Sequence, residues 1–123
     1  MKLWLDDRRP APEGWTRAAS VADAQRLLRT GEVEEASLDH DLGACDACMG
    51  GSTVDEWLQA HDYDMPTCEH VGTGLTLCLW MEKTGHWPKR IPAIHSMNRG
   101  GAERMREVIA RAFGKSGGDS GAA

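Results

Sequence analysis

Tyrosine and phenylalanine are nearly missing from this chain, one of each, and the aromatic load falls on Trp4, Trp15, Trp57, Trp80 and Trp87. A core built of phenyl rings is excluded. Five indoles instead fill the interior or line a pocket, and a well-filled interior is the expectation. Basic runs are missing too: the net charge is −5, with Lys and Arg scattered along the chain. Duplex DNA needs clustered cations to displace its counterions, so it is excluded as a partner. No apolar stretch is long enough to span a bilayer, and no leader-like segment precedes the opening run KLWLDD. The expected setting is therefore the cytoplasm and not a membrane. No internal repeat occurs, which excludes a solenoid.

What is present fits a globular protein: 123 residues, 41% hydrophobic and 27% charged. One α/β domain is expected over 1–113, carrying an inserted Cys/His segment at 44–71. The Gly/Ser-rich residues 114–123 are expected to form a flexible tail. "KLWLD" (2–6) predicts a buried strand, "RRPAPEGW" a Pro/Gly loop, and "WTRAA" (15–19) a second strand. Ser20 predicts an N-cap for a helix with Val21, Ala24, Leu27 and Leu28 on one stripe, ending at Gly31.

"EASLD" (35–39) predicts a central strand, and "STVDEWLQAH" (52–61) a capped helix inside the insertion. "GTGLTLCLWMEKTG" (72–85) is apolar nearly all round and predicts a buried helix closing at Gly85. "IPAIHS" (91–96) predicts a last strand. Asn98 then caps a helix lined by Ala102, Met105, Val108, Ile109 and Ala112. Strands alternating with helices imply a parallel sheet of about four strands in a three-layer, reduced flavodoxin-like arrangement.

Ligands of such sheets sit beyond the carboxyl ends of the strands. Three predicted strands end there in polar residues: Asp6 with Asp7, then Asp39 with His40 and Asp41, and then His95 with Ser96 and Asn98. Carboxylates gathered at one place repel each other unless they are protonated or neutralised by a cation. Asp6, Asp7 and Asp39, with Asp41, therefore make a candidate site for a hard divalent cation, Mg²⁺ by default. If His40 or His95 joins that shell, Mn²⁺, Fe²⁺ or Zn²⁺ competes. Outside it, both imidazoles are candidates for general acid and base. The alternative is a set of solvated loop acids and helix caps. Arg8 or Arg9, next along the chain, is placed to neutralise the acids or to clamp a phosphate.

An acidic pair after the first strand and an Asp after the central one resemble the receiver domain of response regulators. That resemblance implies that Asp6 and Asp7 hold Mg²⁺ and that Asp39 is the phosphoryl acceptor, with Ser96 near the usual Ser/Thr. The fifth strand and its Lys have no counterpart here. "LWLDDRRPAPEGW", "SLDHDLG", "GTGLTLCLWME" and "IHSMN" together resemble the cyclic-phosphate processing receiver domain, a trimmed relative. This second resemblance implies action on cyclic phosphates or related phosphoesters.

Cys45 and Cys48 form a C-x₂-C pair, and Cys68 and His70 a C-x-H pair. In a reducing compartment such spacing points to a closed structural Zn²⁺ site. His61, or no fourth ligand, is the alternative to His70, and four reduced thiols packing as small apolar residues is the alternative to zinc. Cys78 lies in a predicted core helix and reads as core.

The combined expectation is a metal-dependent phosphoesterase. Its cation is Mg²⁺ or Mn²⁺ on the acidic cluster; Asp39, His40 and His95 carry the chemistry, and Arg8, Ser96 and Asn98 contact substrate. Water or Asp39 is the nucleophile. The substrate is a small phosphorylated ligand, a nucleotide or an RNA end. The rival expectations are a non-catalytic module that binds a nucleotide or phosphate and a degenerate receiver used for protein contact.

Overall fold

A computed structural model describes residues 1–62 and 65–114. Four strands form one parallel sheet in the order β2-β1-β3-β4: β1 (Lys2–Leu5), β2 (Trp15–Ala18), β3 (Glu35–Leu38) and β4 (Ala93–Ile94). The order reverses between β1 and β3, which is where sheets of this type open a ligand crevice. The expected receiver-like α/β architecture is present. β1 reaches its parallel neighbour β2 through the Pro/Gly loop alone, without a helix.

Ser20 caps α1 (Val21–Arg29) by accepting from the Asp23 N–H at 3.2 Å, and Val21, Ala24 and Leu28 are its buried face. Within the insertion, α2 (Asp46–Met49) is a single turn. It is followed by α3 (Val54–Ala60), which begins in a Thr53/Glu56 capping box. Another capping box, Thr73/Thr76, opens α4 (Gly74–Thr84), and Gly85 closes it in the left-handed conformation. Asn98 caps α5 (Arg99–Ile109), which runs on into a π-helical turn, Ala110–Gly114. The hydrophobic cluster joins Leu3, Leu5 and Leu38 of the sheet to Leu28, Leu77, Met81 and Met105 of the helices.

Four expectations need correction. The segment 72–85 buries one face only: Leu77, Cys78 and Met81 are fully enclosed, whereas Leu79 is 46% exposed. Ala112 leaves the core face, because the wider π turn exposes it and brings Phe113 against the cluster. The strand in 91–96 shrinks to Ala93–Ile94, since Pro92 has no N–H to give a ladder. No tryptophan is fully buried: Trp80 and Trp87 pack at the edge of the core, and Trp4, Trp57 and Trp80 stack on histidines. The tail expected over 114–123 lies, from residue 115 on, outside the described residues.

The entry of α4 crosses the end of β3 at very short range. A Cβ on Gly74 would fall 2.1 Å from the Asp39 carbonyl oxygen and 2.6 Å from the Met105 Cε. Backbone on that side does not yield, so glycine is the residue that fits. Gly74→Ala is expected to cost about 3 kcal/mol. Gly31→Ala, at φ +75° with nothing within 4 Å, is expected to cost about 1 kcal/mol of strain. Chemical denaturation of the two variants beside the parent checks the difference.

Candidate active site and metal centre

Register decides which side chains meet. Leu5 pairs with Leu38, and Leu38 pairs with Ile94. The next residue of each strand therefore lies in one row, and backbone bonds extend it: Asp39 N–H donates to the Leu5 carbonyl at 3.0 Å and His95 N–H to the Leu38 carbonyl at 2.9 Å. That row is Asp6, Asp39 and His95. In-register neighbours of parallel strands point the same way about 4.8 Å apart. The carboxylate oxygens and imidazole nitrogen accordingly lie within 4.8 Å of one another and form a group able to hold a cation.

Residues two positions back share that face. Ser37 Oγ lies 2.7 Å from His95 Nδ1, and the Trp4 indole stacks on the His95 ring at 3.9 Å and 4°. His95 Nε2 meets Asp6 Oδ2 at 3.1 Å. Asp6 Oδ1 accepts the backbone N–H groups of Arg8 and Arg9, each at 2.9 Å. The Arg9 Nε lies 2.9 Å from Asp6 Oδ2, and its Nη2 is 3.7 Å from Asp39 Oδ2.

These contacts sort the acids. Burial pushes Asp6 up, but the Arg9 and Arg8 N–H groups, His95 and the Arg9 guanidinium outweigh it, and its carboxyl ends below the usual range. Asp39 ends above that range through burial and the charge of Asp6, against the His40 N–H that its Oδ1 accepts at 2.8 Å. Asp7 is likewise raised by burial and by Asp6 and Asp39. Burial lowers His95 against the opposing pull of Asp6 and Asp39.

The remaining candidates fall around this row. Asp7 is half-buried, and Gly43 makes room for it: a Cβ there would meet the Asp7 Oδ2 at 2.9 Å. His40 and Asp41 form a pair of their own, Nδ1 to Oδ1 at 2.7 Å, joined by Asn98 Nδ2 at 3.2 Å from the same oxygen. Asp41 is thus outside the Asp6/Asp39/His95 group. Ser96 Oγ accepts the Asn98 N–H at 3.0 Å. Arg8 is exposed and reaches Met65 Sδ at 3.8 Å. A cleft of ≈ 720 Å³ opens beside this pair, lined by His40, Asp41, Met65, Thr67, Met97 and Asn98 among others.

Arg9, Ser37 and Trp4 belong to the site, although Ser37 and Trp4 are not among the polar strand ends. Strand alternation carried the signal for both, since each stands two residues before an acid already singled out.

The insertion brings its four candidates together. Cys45, Cys48 and Cys68 Sγ and a ring nitrogen of His70 all lie within 4.8 Å of one another. The two C-x₂-C sulfurs are 3.6 and 3.4 Å from His70 Nδ1. A tetrahedral ion with ligand bonds of about 2.3 Å to sulfur and about 2.0 Å to nitrogen spaces those atoms at about 3.5 Å. The donor set fits a soft or borderline metal ion. The Cys45 and Val71 N–H groups pull the Cys68 thiol down to about 6. Neighbouring sulfurs, Cys45 first, push Cys48 up to about 11. His61 lies elsewhere, stacked on Trp57 at 3.8 Å with its Nδ1 2.9 Å from the Trp57 carbonyl. Cys78 is core, raised to about 12 by burial. Isolated bridges tie the segment to the site: Gly43 with Thr67, and Asp41 with Thr73.

Among the described residues no helix is long and apolar enough to cross a membrane. No match was found among curated proteins or among solved structures. One family model does match, the cyclic-phosphate processing receiver domain, over residues 1–111. With its receiver-like sheet and its acids at the strand ends, the chain belongs to the cyclic-phosphate processing receiver domain family.

Proposed function

We propose that the protein is a metal-dependent phosphoesterase acting on cyclic or terminal phosphates of nucleotides or RNA ends. The observation that carries this reading is the row of Asp6, Asp39 and His95, whose ligand atoms lie within 4.8 Å of one another beside His40. Asp6 and Asp39, with Asp7 adjacent, hold Mg²⁺ or Mn²⁺. That ion, when bound, supplies Lewis-acid polarisation of the phosphoryl oxygens. Asn98, which lines the cleft, Arg8, which reaches the lining residue Met65, and Ser96 orient the substrate.

For a cyclic diester, the oxygen of water bonds to phosphorus as one ring P–O bond breaks, giving a monoester. One proton of that water passes to a base, and the departing alkoxide receives one. His40 and His95 are the acid–base candidates. Hydrolysis through Asp39 as a covalent nucleophile gives the same products.

A second reading is a binding module for a nucleotide, a phosphate or a protein partner. It is favoured by Arg9, whose guanidinium pairs with Asp6 at 2.9 Å and approaches Asp39 at 3.7 Å, offsetting part of their charge without an ion. Turnover of 2′,3′- and 3′,5′-cyclic nucleotides with Mg²⁺ or Mn²⁺ separates the two. Asp39→Asn and His95→Ala are each expected to lower kcat by about 10²–10³-fold, the scale of losing one preorganised charge-stabilising group. Tight ligand binding without turnover assigns the module instead.

The raised Asp39 has a consequence for stability. A carboxyl with a raised folded-state value opposes folding once ionised. Without divalent ions, Asp39→Asn is therefore expected to raise the melting temperature at neutral pH. The difference should vanish below the ordinary aspartate range, where both states are protonated. Added Mg²⁺ should stabilise the parent more than the variant in thermal melts.

Cys45, Cys48, Cys68 and His70 are proposed to hold a structural Zn²⁺, since three thiolates and an imidazole prefer zinc over the harder ions. Metal analysis is expected to find about one zinc per chain. Cys45→Ser and Cys68→Ser should each abolish it and lower the melting temperature.

A further inference from the structure

The second carboxylate of "DHD" does not join the first. Asp41 Oδ1 instead receives two groups: His40 Nδ1 at 2.7 Å and Asn98 Nδ2 at 3.2 Å. The orientation of the Asn98 amide follows from its own cap. Its Oδ1 accepts the Gly101 N–H at 2.9 Å, so the NH₂ end faces Asp41 and His40. An ionised carboxylate only accepts, and the amide NH₂ only donates. Facing the Asp41 carboxylate at 2.7 Å, His40 Nδ1 carries the proton, and the amide, farther from Nδ1 at 3.4 Å, donates to Asp41.

The rest of His40 is held equally closely. Its N–H is on Asp39 Oδ1 at 2.8 Å, and its carbonyl accepts the Gly74 N–H at 2.8 Å. Its ring lies against Gly101, where a Cβ would come within 2.5 Å of Cγ and Cδ2. The side chain is 9% exposed, and His40 lines the cleft. His95 is arranged differently: Ser37 holds its Nδ1 and Asp6 its Nε2, so both ring nitrogens are engaged.

We infer that Asp41, itself held by the helix-capping Asn98, is a positioning residue that fixes His40 as the Nδ1–H tautomer. His40 Nε2 is then the atom that takes the proton from the attacking water. The inference rests on the phosphoesterase reading for its chemistry, but the tautomer stands apart from it. Carboxylate–imidazole pairs of this kind set which nitrogen works.

Long-range ¹H–¹⁵N spectra at about pH 8.5, where ordinary imidazoles are neutral, read the tautomer directly. The parent protein is expected to show His40 protonated at Nδ1 and unprotonated at Nε2. In Asp41→Ala the acceptor is gone, while Asn98 Nδ2, 3.4 Å from Nδ1 in the parent, remains to donate. The tautomer should then reverse. Cyclic-nucleotide turnover by this variant is expected to fall in kcat by about 10²–10⁴-fold, the range of acid–base assistance, with KM unchanged. Its Mn²⁺ affinity, read by electron paramagnetic resonance, should also be unchanged.

An Nε2–H tautomer in the parent overturns the inference, as does an unaltered spectrum in the variant. Lost Mn²⁺ affinity overturns it too, by returning Asp41 to the cation. The parent spectrum needs no variant, so a misfolded Asp41→Ala leaves the test in place. A parent that turns over nothing yet shows the Nδ1–H form defeats the phosphoesterase reading and not the tautomer.

Discussion

Everything at the candidate site hangs on the alignment of three strand ends. Leu5, Leu38 and Ile94 pair across the sheet, and the next row presents Asp6, Asp39 and His95. A slip of one residue in any strand would turn its functional group to the opposite face. The buried leucines oppose such a slip: Leu3, Leu5 and Leu38 are fully enclosed, and moving one outward would expose its side chain at a cost of roughly 2 kcal/mol. Hydrophobic burial on one face thus holds the ligand geometry on the other.

The charges bring an opposing pressure. Asp6, Asp7 and Asp39 crowd together at the switch point of the sheet, and Asp7 and Asp39 are driven toward protonation by burial and by the charge of Asp6. Arg9 and two backbone N–H groups select Asp6 as the acid that stays ionised. A site of this kind has lost stability relative to an apolar strand end. Such local cost is characteristic of positions kept for ligand chemistry.

Much of this was readable from the chain. Apolar runs ending in acids located β1 and β3, and Ser20 and Asn98 announced their helices as caps. The Cys/His spacing anticipated a group that the fold does assemble. What escaped had physical causes. "LTLCLWM" has no polar position to mark an outer face, so the exposure of Leu79 was hidden. Asp41 has the same chemistry as Asp39 two residues earlier, but β3 ends at Leu38. Beyond it the alternation fails, and Asp41 turns to His40 and Asn98. The π turn that displaces Ala112 leaves no mark in a pattern of period 3.6. Trp4 and Ser37 were concealed by their neutrality, although alternation placed them beside the acids.

The Gly43–Thr67 and Asp41–Thr73 bridges close the base of the insertion. Chain leaves the sheet and comes back at nearly the same spot, so the cysteine-bearing loop is a pendant on a short stem. Its length and content are decoupled from the strands on either side. A relative that exchanged the pendant for another, or trimmed it to the stem, would alter the wall of the cleft that Met65 and Thr67 supply. The row of acids beneath would keep its geometry.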